Sequence, residues 1–175
     1  NDFILEYSRK YYIDTYDNGS FYRSYVDISG RSIIPDIFVW FEDGHLWETN
    51  IEGSASLYTH YIVDENRYLN TSNRAVKWWI DVKNLSSGWA RIDNYTMKLM
   101  GRSTIFVLSM VRECYNFTYF NNNVTVQAYY CTTSGVLLEF RLKRDDYAEV
   151  YRLASTTSDV SLNVYWPYYI AFLGV

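Results

Sequence analysis

Apolar and polar residues alternate with a period of two along most of this chain, and stretches with helical periodicity are hard to find. Runs rich in Val, Ile, Tyr, Phe, Trp and Thr are separated by clusters of Asn, Asp and Gly, the pattern of an all-β domain. Three hairpins can be placed. Residues 11–16 and 21–28 flank Asn18-Gly19, a pair favoured where both central residues of a turn need positive φ, and Tyr16 then opposes Phe21. Residues 37–41 and 46–51 flank a turn region at 42–45, with His45 in the turn, and bring Trp40 opposite Trp47. Residues 114–120 and 124–131 flank a turn at Asn122-Asn123, which sets Cys114 directly opposite Cys131. Further strands are expected at 55–63, 75–82, 89–100, 103–112, 135–144, 148–156 and 160–172.

The third hairpin fixes two faces. Asn116, Thr118, Thr125 and Gln127 share one, and Tyr115, Phe117, Tyr119, Val124, Val126, Ala128 and Tyr130 share the other, because side chains alternate across a strand. Its cysteines form a non-hydrogen-bonded pair with Cα atoms roughly 4.5 Å apart. A cross-strand disulfide between Cys114 and Cys131 is therefore expected, worth about 3 kcal/mol in the chain-entropy model and suited to an oxidising compartment. Within 94–99, Asn94, Thr96 and Lys98 are expected to face out, and Tyr95, Met97 and Leu99 in.

Composition adds location rather than chemistry. Six Asn-x-Ser/Thr sequons start at Asn18, Asn70, Asn84, Asn94, Asn116 and Asn123. With 13 Asn and 28 Ser plus Thr in 175 residues, chance gives about two. All six fall in apparent turns or on polar strand faces, where a sugar is tolerated, so a secreted glycoprotein is expected. The absence of an initiator Met fits a processed product. Nineteen Tyr suit half-buried strand faces, and the net charge of −4 argues against a nucleic-acid partner. No apolar run is long enough for a membrane span.

Catalytic signals are sparse. His45 and His60 are the only histidines, and neither belongs to a metal-ligand pair. The acidic pairs Glu42-Asp43, Asp64-Glu65 and Asp145-Asp146 lack both EF-hand spacing and a partner motif. No enzyme activity, metal or cofactor is expected, only covalent N-linked glycans. Trp78-Trp79 put one indole inward and one outward, either as packing or as a sugar platform.

Residues 1–8 alternate, with Phe3, Leu5 and Tyr7 on one face. They read as an N-terminal arm protruding from a single domain over 9–175, able to add itself to a sheet edge in cis or in trans. Together with the sequons, the Tyr- and Asn-rich composition and the Cys114/Cys131 pair, this layout resembles the subunits of archaeal thread filaments, extracellular N-glycosylated pilins. The resemblance implies an antiparallel, pilin- or Ig-like β-sandwich whose subunits join head to tail by donor-strand complementation, with Phe3, Leu5 and Tyr7 as anchors. It implies a homopolymer at the cell surface that serves adhesion or cell contact through surface or carbohydrate receptors. Residues 160–172 offer a second alternating donor segment. The alternative function is a monomeric secreted module that binds a carbohydrate or a receptor.

Overall fold

The computed structural model describes residues 3–17, 20–26, 37–42, 45–52, 55–62, 77–82, 85, 88–145 and 147–156. Asn18, Asn70, Asn84, the Asp64-Glu65 pair and the expected strand 160–172 lie outside the described residues. The fold is all-β. Its eleven described strands are β1 (Phe3–Asp17), β2 (Ser20–Val26), β3 (Ile37–Glu42), β4 (His45–Glu52), β5 (Ala55–Ile62), β6 (Trp89–Ile92), β7 (Tyr95–Val107), β8 (Met110–Asn121), β9 (Val124–Cys131), β10 (Leu137–Lys143) and β11 (Tyr147–Thr156).

These strands hydrogen-bond into one open antiparallel sheet in the order β5-β4-β3-β1-β11-β10-β9-β8-β7-β6, with β2 also paired to β1. The registers of all three expected hairpins hold: Tyr16 pairs with Phe21, Trp40 with Trp47, and Cys114 with Cys131. Two expected strands are each interrupted by a turn. A turn at Asp93-Asn94 divides 89–100, and one at Leu108-Ser109 divides 103–112. Leu108 and Ser109 adopt φ of 51° and 58°, a left-handed geometry usually given to Gly or Asn, so no turn signal marks the position. Residues 77–82 form no strand, only a turn and a single bridge from Trp79 to Val136.

The core lies on one face of the sheet. Phe117, Val126, Ala128, Tyr130, Phe140, Tyr151, Leu153 and Tyr7 are buried there by their alternating positions. The segment 77–82 lies over them. It is held by Ile80 N–H to the Gly135 carbonyl at 3.0 Å and Leu137 N–H to the Trp78 carbonyl at 2.9 Å. Trp78 and Ile80 are thereby buried, and the Trp78 ring stands 4.7 Å from Tyr7 and 5.7 Å from Tyr151. The Lys77 ammonium sits 4.3 Å from the Tyr151 ring centroid and 4.5 Å from that of Trp78, adding a cation–π contribution to the same cluster.

Trp78 is the largest side chain in this cluster to lose its water completely. Trp78→Ala is expected to cost about 3–5 kcal/mol in denaturant unfolding. Phe120→Ala, at a ring 74% exposed, is expected to change stability by no more than about 0.5 kcal/mol.

Candidate glycan-bearing face and N-terminal strand

The described sequons occupy two kinds of site. Asn94 and Asn123 are exposed residues of the two-residue turns between β6 and β7 and between β8 and β9. Asn94 therefore sits in a turn rather than at the start of an outward strand face. The alternation that follows holds, with Thr96 and Lys98 exposed and Met97 buried. The Asn121 side chain accepts the Asn122 N–H at 2.8 Å and shapes the second turn. Asn116 instead lies mid-strand in β8, half-buried, on the face opposite the core. Its Oδ1 is buried without a hydrogen-bond partner among the described residues.

That polar face is built in rows by the register. Asn116 stands between Gly101 on β7 and Tyr129 on β9, and the row continues through Glu139 on β10 to Arg152 on β11 and Ser8 on β1. The neighbouring row runs Lys98, Thr118, Gln127, Arg141, Val150, Lys10. Glu139 is fully buried between the guanidinium groups of Arg141 and Arg152, which ion-pair with its two carboxylate oxygens and are themselves about half exposed. Arg141 also lies 5.4 Å from the Tyr129 ring centroid. Burial raises the Tyr129 phenol above its ordinary pKa, and Arg141 opposes that shift. Around this cluster the face is hollowed into an open groove of about 460 Å3, lined by Thr125, Gln127, Lys143 and Val150 as well as the ion-paired residues. The sequence placed Gln127 and Thr125 on this face. It gave no sign of the buried Glu139, whose partners come from positions 2 and 13 residues away.

The N-terminal segment is not a protruding arm. Residues 3–17 form one continuous strand, and the boundary expected after Ser8 falls inside it. Phe3, Leu5 and Tyr7 pair with Phe41, Val39 and Ile37 of β3, while Leu5 and Tyr7 face Thr156 and Leu153 of β11 on the other side, across a register shift between Glu6 and Tyr7. Tyr7 is fully buried, and its hydroxyl donates to the Leu137 carbonyl at 2.8 Å. Burial, and then the nearby Tyr130 phenol, hold its pKa well above the usual 10.0.

Cys114 and Cys131 are both buried and directly opposed, yet no disulfide joins them here, contrary to the expected bond. The Cys114 thiol instead donates to the Ser103 carbonyl at 3.4 Å and lies 3.3 Å from the Ser103 hydroxyl, on the β7 side. Burial pushes that thiol from 9.0 up to about 11, against the Ser103 hydrogen bond.

His45 opens β4 opposite Glu42 instead of occupying the turn, and His60 in β5 faces Trp47. Of the Trp78-Trp79 pair, the outward indole is tied down by its Nε1–H donating to the Ser134 carbonyl at 3.1 Å. The Trp89 ring is exposed, 54% accessible. No group of three His, Cys, Asp or Glu side chains suited to a metal occurs among the described residues, and no described helix is long and apolar enough to cross a membrane. No protein-family model and no curated protein matches the chain.

Two outcomes follow from these environments. Replacing both Arg141 and Arg152 by Gln leaves Glu139 buried and uncompensated, and is expected to cost about 3–5 kcal/mol in denaturant unfolding. Glu139→Gln should cost less, because the two guanidinium groups left behind already reach water. In the reduced protein, Cys114 and Tyr7 both have folded pKa values above their unfolded ones. Their contribution to stability is fully present below pH 9.0 and is lost as pH rises through about 11 for the thiol and higher for the phenol. Unfolding free energy followed against pH is expected to be flat on the acid side of that window and to fall across it.

Proposed function

We propose that this chain is the subunit of a glycosylated extracellular filament that assembles head to tail by exchanging its N-terminal strand. The observation that carries this reading is the position of residues 3–7. They lie between β3 and β11, and among the described strands the β3-β4-β5 unit meets the rest of the sheet through β1. Withdrawing this short segment would open a slot lined by Leu153 and Trp78, and the same segment of a second copy has the register and the Tyr7 plug to refill it. A contact repeated in this way without closure generates a fibre. In that fibre the open sheet curls over Trp78 and Ile80 into the two-layered sandwich expected of a pilin-like subunit.

The remaining features serve the same role. Glycans on the sequons coat the fibre, and Asn94 and Asn123 offer exposed turn sites for them. The filament acts in adhesion or cell contact, binding its own copies along its length and surface or carbohydrate receptors at its flanks. The chain has no catalytic role on this reading.

A second reading is favoured by one observation: the N-terminal strand pairs within its own chain. A secreted monomer that binds carbohydrate has the same geometry. Electron microscopy of native material, with size-exclusion chromatography of a variant lacking residues 1–8, separates the two. Filaments from the intact protein and a monomeric or unstable truncated form are expected. Monodisperse particles from both would leave the monomeric binding module.

A further inference from the structure

We infer that the groove around Glu139 is the bed of the glycan carried on Asn116, and that this glycan bears an acidic substituent. The inference rests on the glycosylation reading above and names what one of the six glycans does.

Three observations meet at Asn116. Its Oδ1 is buried without a hydrogen-bond partner, whereas Nδ2, the atom that would carry an N-glycan, is not among the described buried atoms left without one. Its neighbour across β7 is Gly101, at φ 126°, where an added Cβ would meet nothing within 4 Å, so no side chain fills the space on that flank. Its neighbour across β9 is Tyr129, in a non-hydrogen-bonded pair whose side chains lie close together. The first sugar therefore leaves the strand between an open flank and an aromatic wall, and Thr118 of the sequon shares the face.

The groove begins one strand further on. Asn116 on β8 and Glu139 with Arg141 on β10 are two strands apart, about 10 Å at the usual spacing, which the first sugars of a chain attached at Asn116 can span. The groove is open, and beside the apolar Leu142, Ala148 and Val150 its lining includes hydroxyl, amide and guanidinium groups able to hydrogen-bond sugar hydroxyls. Its charge is unbalanced. Arg141, Lys143 and Arg152 face the single carboxylate of Glu139, in a chain whose net charge is −4. Glu139 holds both guanidinium groups in place from below, and each remains half exposed, with donors left for a second anion. A tethered glycan meets this surface at a high effective concentration that a free saccharide does not have. The chemistry recognised is a carboxylated or sulfated sugar.

Site-resolved periodate oxidation of the natively glycosylated protein, read by glycopeptide mass spectrometry, tests this. Vicinal diols of the Asn116 glycan are expected to oxidise roughly fivefold more slowly than those at Asn94 and Asn123, the difference one net hydrogen bond supplies. The glycopeptide mass should include an acidic sugar. The double variant Gln127→Ala/Lys143→Ala, which leaves the Glu139 ion pairs and the two arginines intact, should bring the Asn116 rate part of the way up to that of the turn sites, and high salt should do so as well. A thermal unfolding curve of the double variant that overlays that of the parent protein shows that the variant has kept its fold. Equal rates at three occupied sites, a neutral glycan, or protection indifferent to the double variant would each overturn the inference while leaving glycosylation standing. An unmodified Asn116 would overturn the inference together with the use of that sequon.

Discussion

Tyr7 is a phenol without access to water, and its hydroxyl donates to the Leu137 carbonyl while its ring packs on Trp78. A buried hydroxyl without a partner costs about 1–3 kcal/mol, so this bond fixes the depth and register of the strand that carries it. Because β1 joins the β3-β4-β5 unit to β11, that one fit also fixes how the two parts of the sheet meet. The Trp78 carbonyl receives the Leu137 N–H, so the same short stretch of β10 anchors the N-terminal strand and the segment that covers the core.

The two faces of the sheet follow from that arrangement. The covered face takes the large rings, and their burial is what Trp78 and Tyr7 complete. The other face keeps polar groups, and there the chain buries a carboxylate only by clamping it between two arginines. Such a pair contributes little net stability, since desolvation offsets most of the attraction. It does fix the two guanidinium groups beside Asn116, Tyr129 and Gln127, which gives the outer surface a defined chemical character.

Much of this was legible in the chain. Turn chemistry at Asn18-Gly19 and Asn122-Asn123 set two registers, and simple alternation then assigned the faces of β8 and β9. What escaped had physical causes. Leu108 and Ser109 turn in a left-handed conformation that their side chains do not advertise, with the Val107 carbonyl braced by Arg112 Nε at 3.3 Å. Residues 77–82 alternate like a strand but make one bridge, because their main task is to place Trp78 and Ile80 over the core. The Cys114/Cys131 opposition was correct, while the choice of Ser103 as thiol partner depends on β7, which the hairpin pattern does not contain. The clamp on Glu139 joins β10 to β11, and no local pattern encodes such a pairing.

The central claim is that residues 3–7 are exchanged between copies, and a covalent trap addresses it directly. Leu5 and Thr156 are cross-strand partners. A double variant Leu5→Cys/Thr156→Cys, assembled, oxidised and run on a denaturing non-reducing gel, reports whether the two positions belong to one chain or to neighbouring chains. A ladder of covalent multimers is the predicted result. A single band of internally cross-linked monomer, under conditions where the cysteines have been shown to react, would contradict strand exchange.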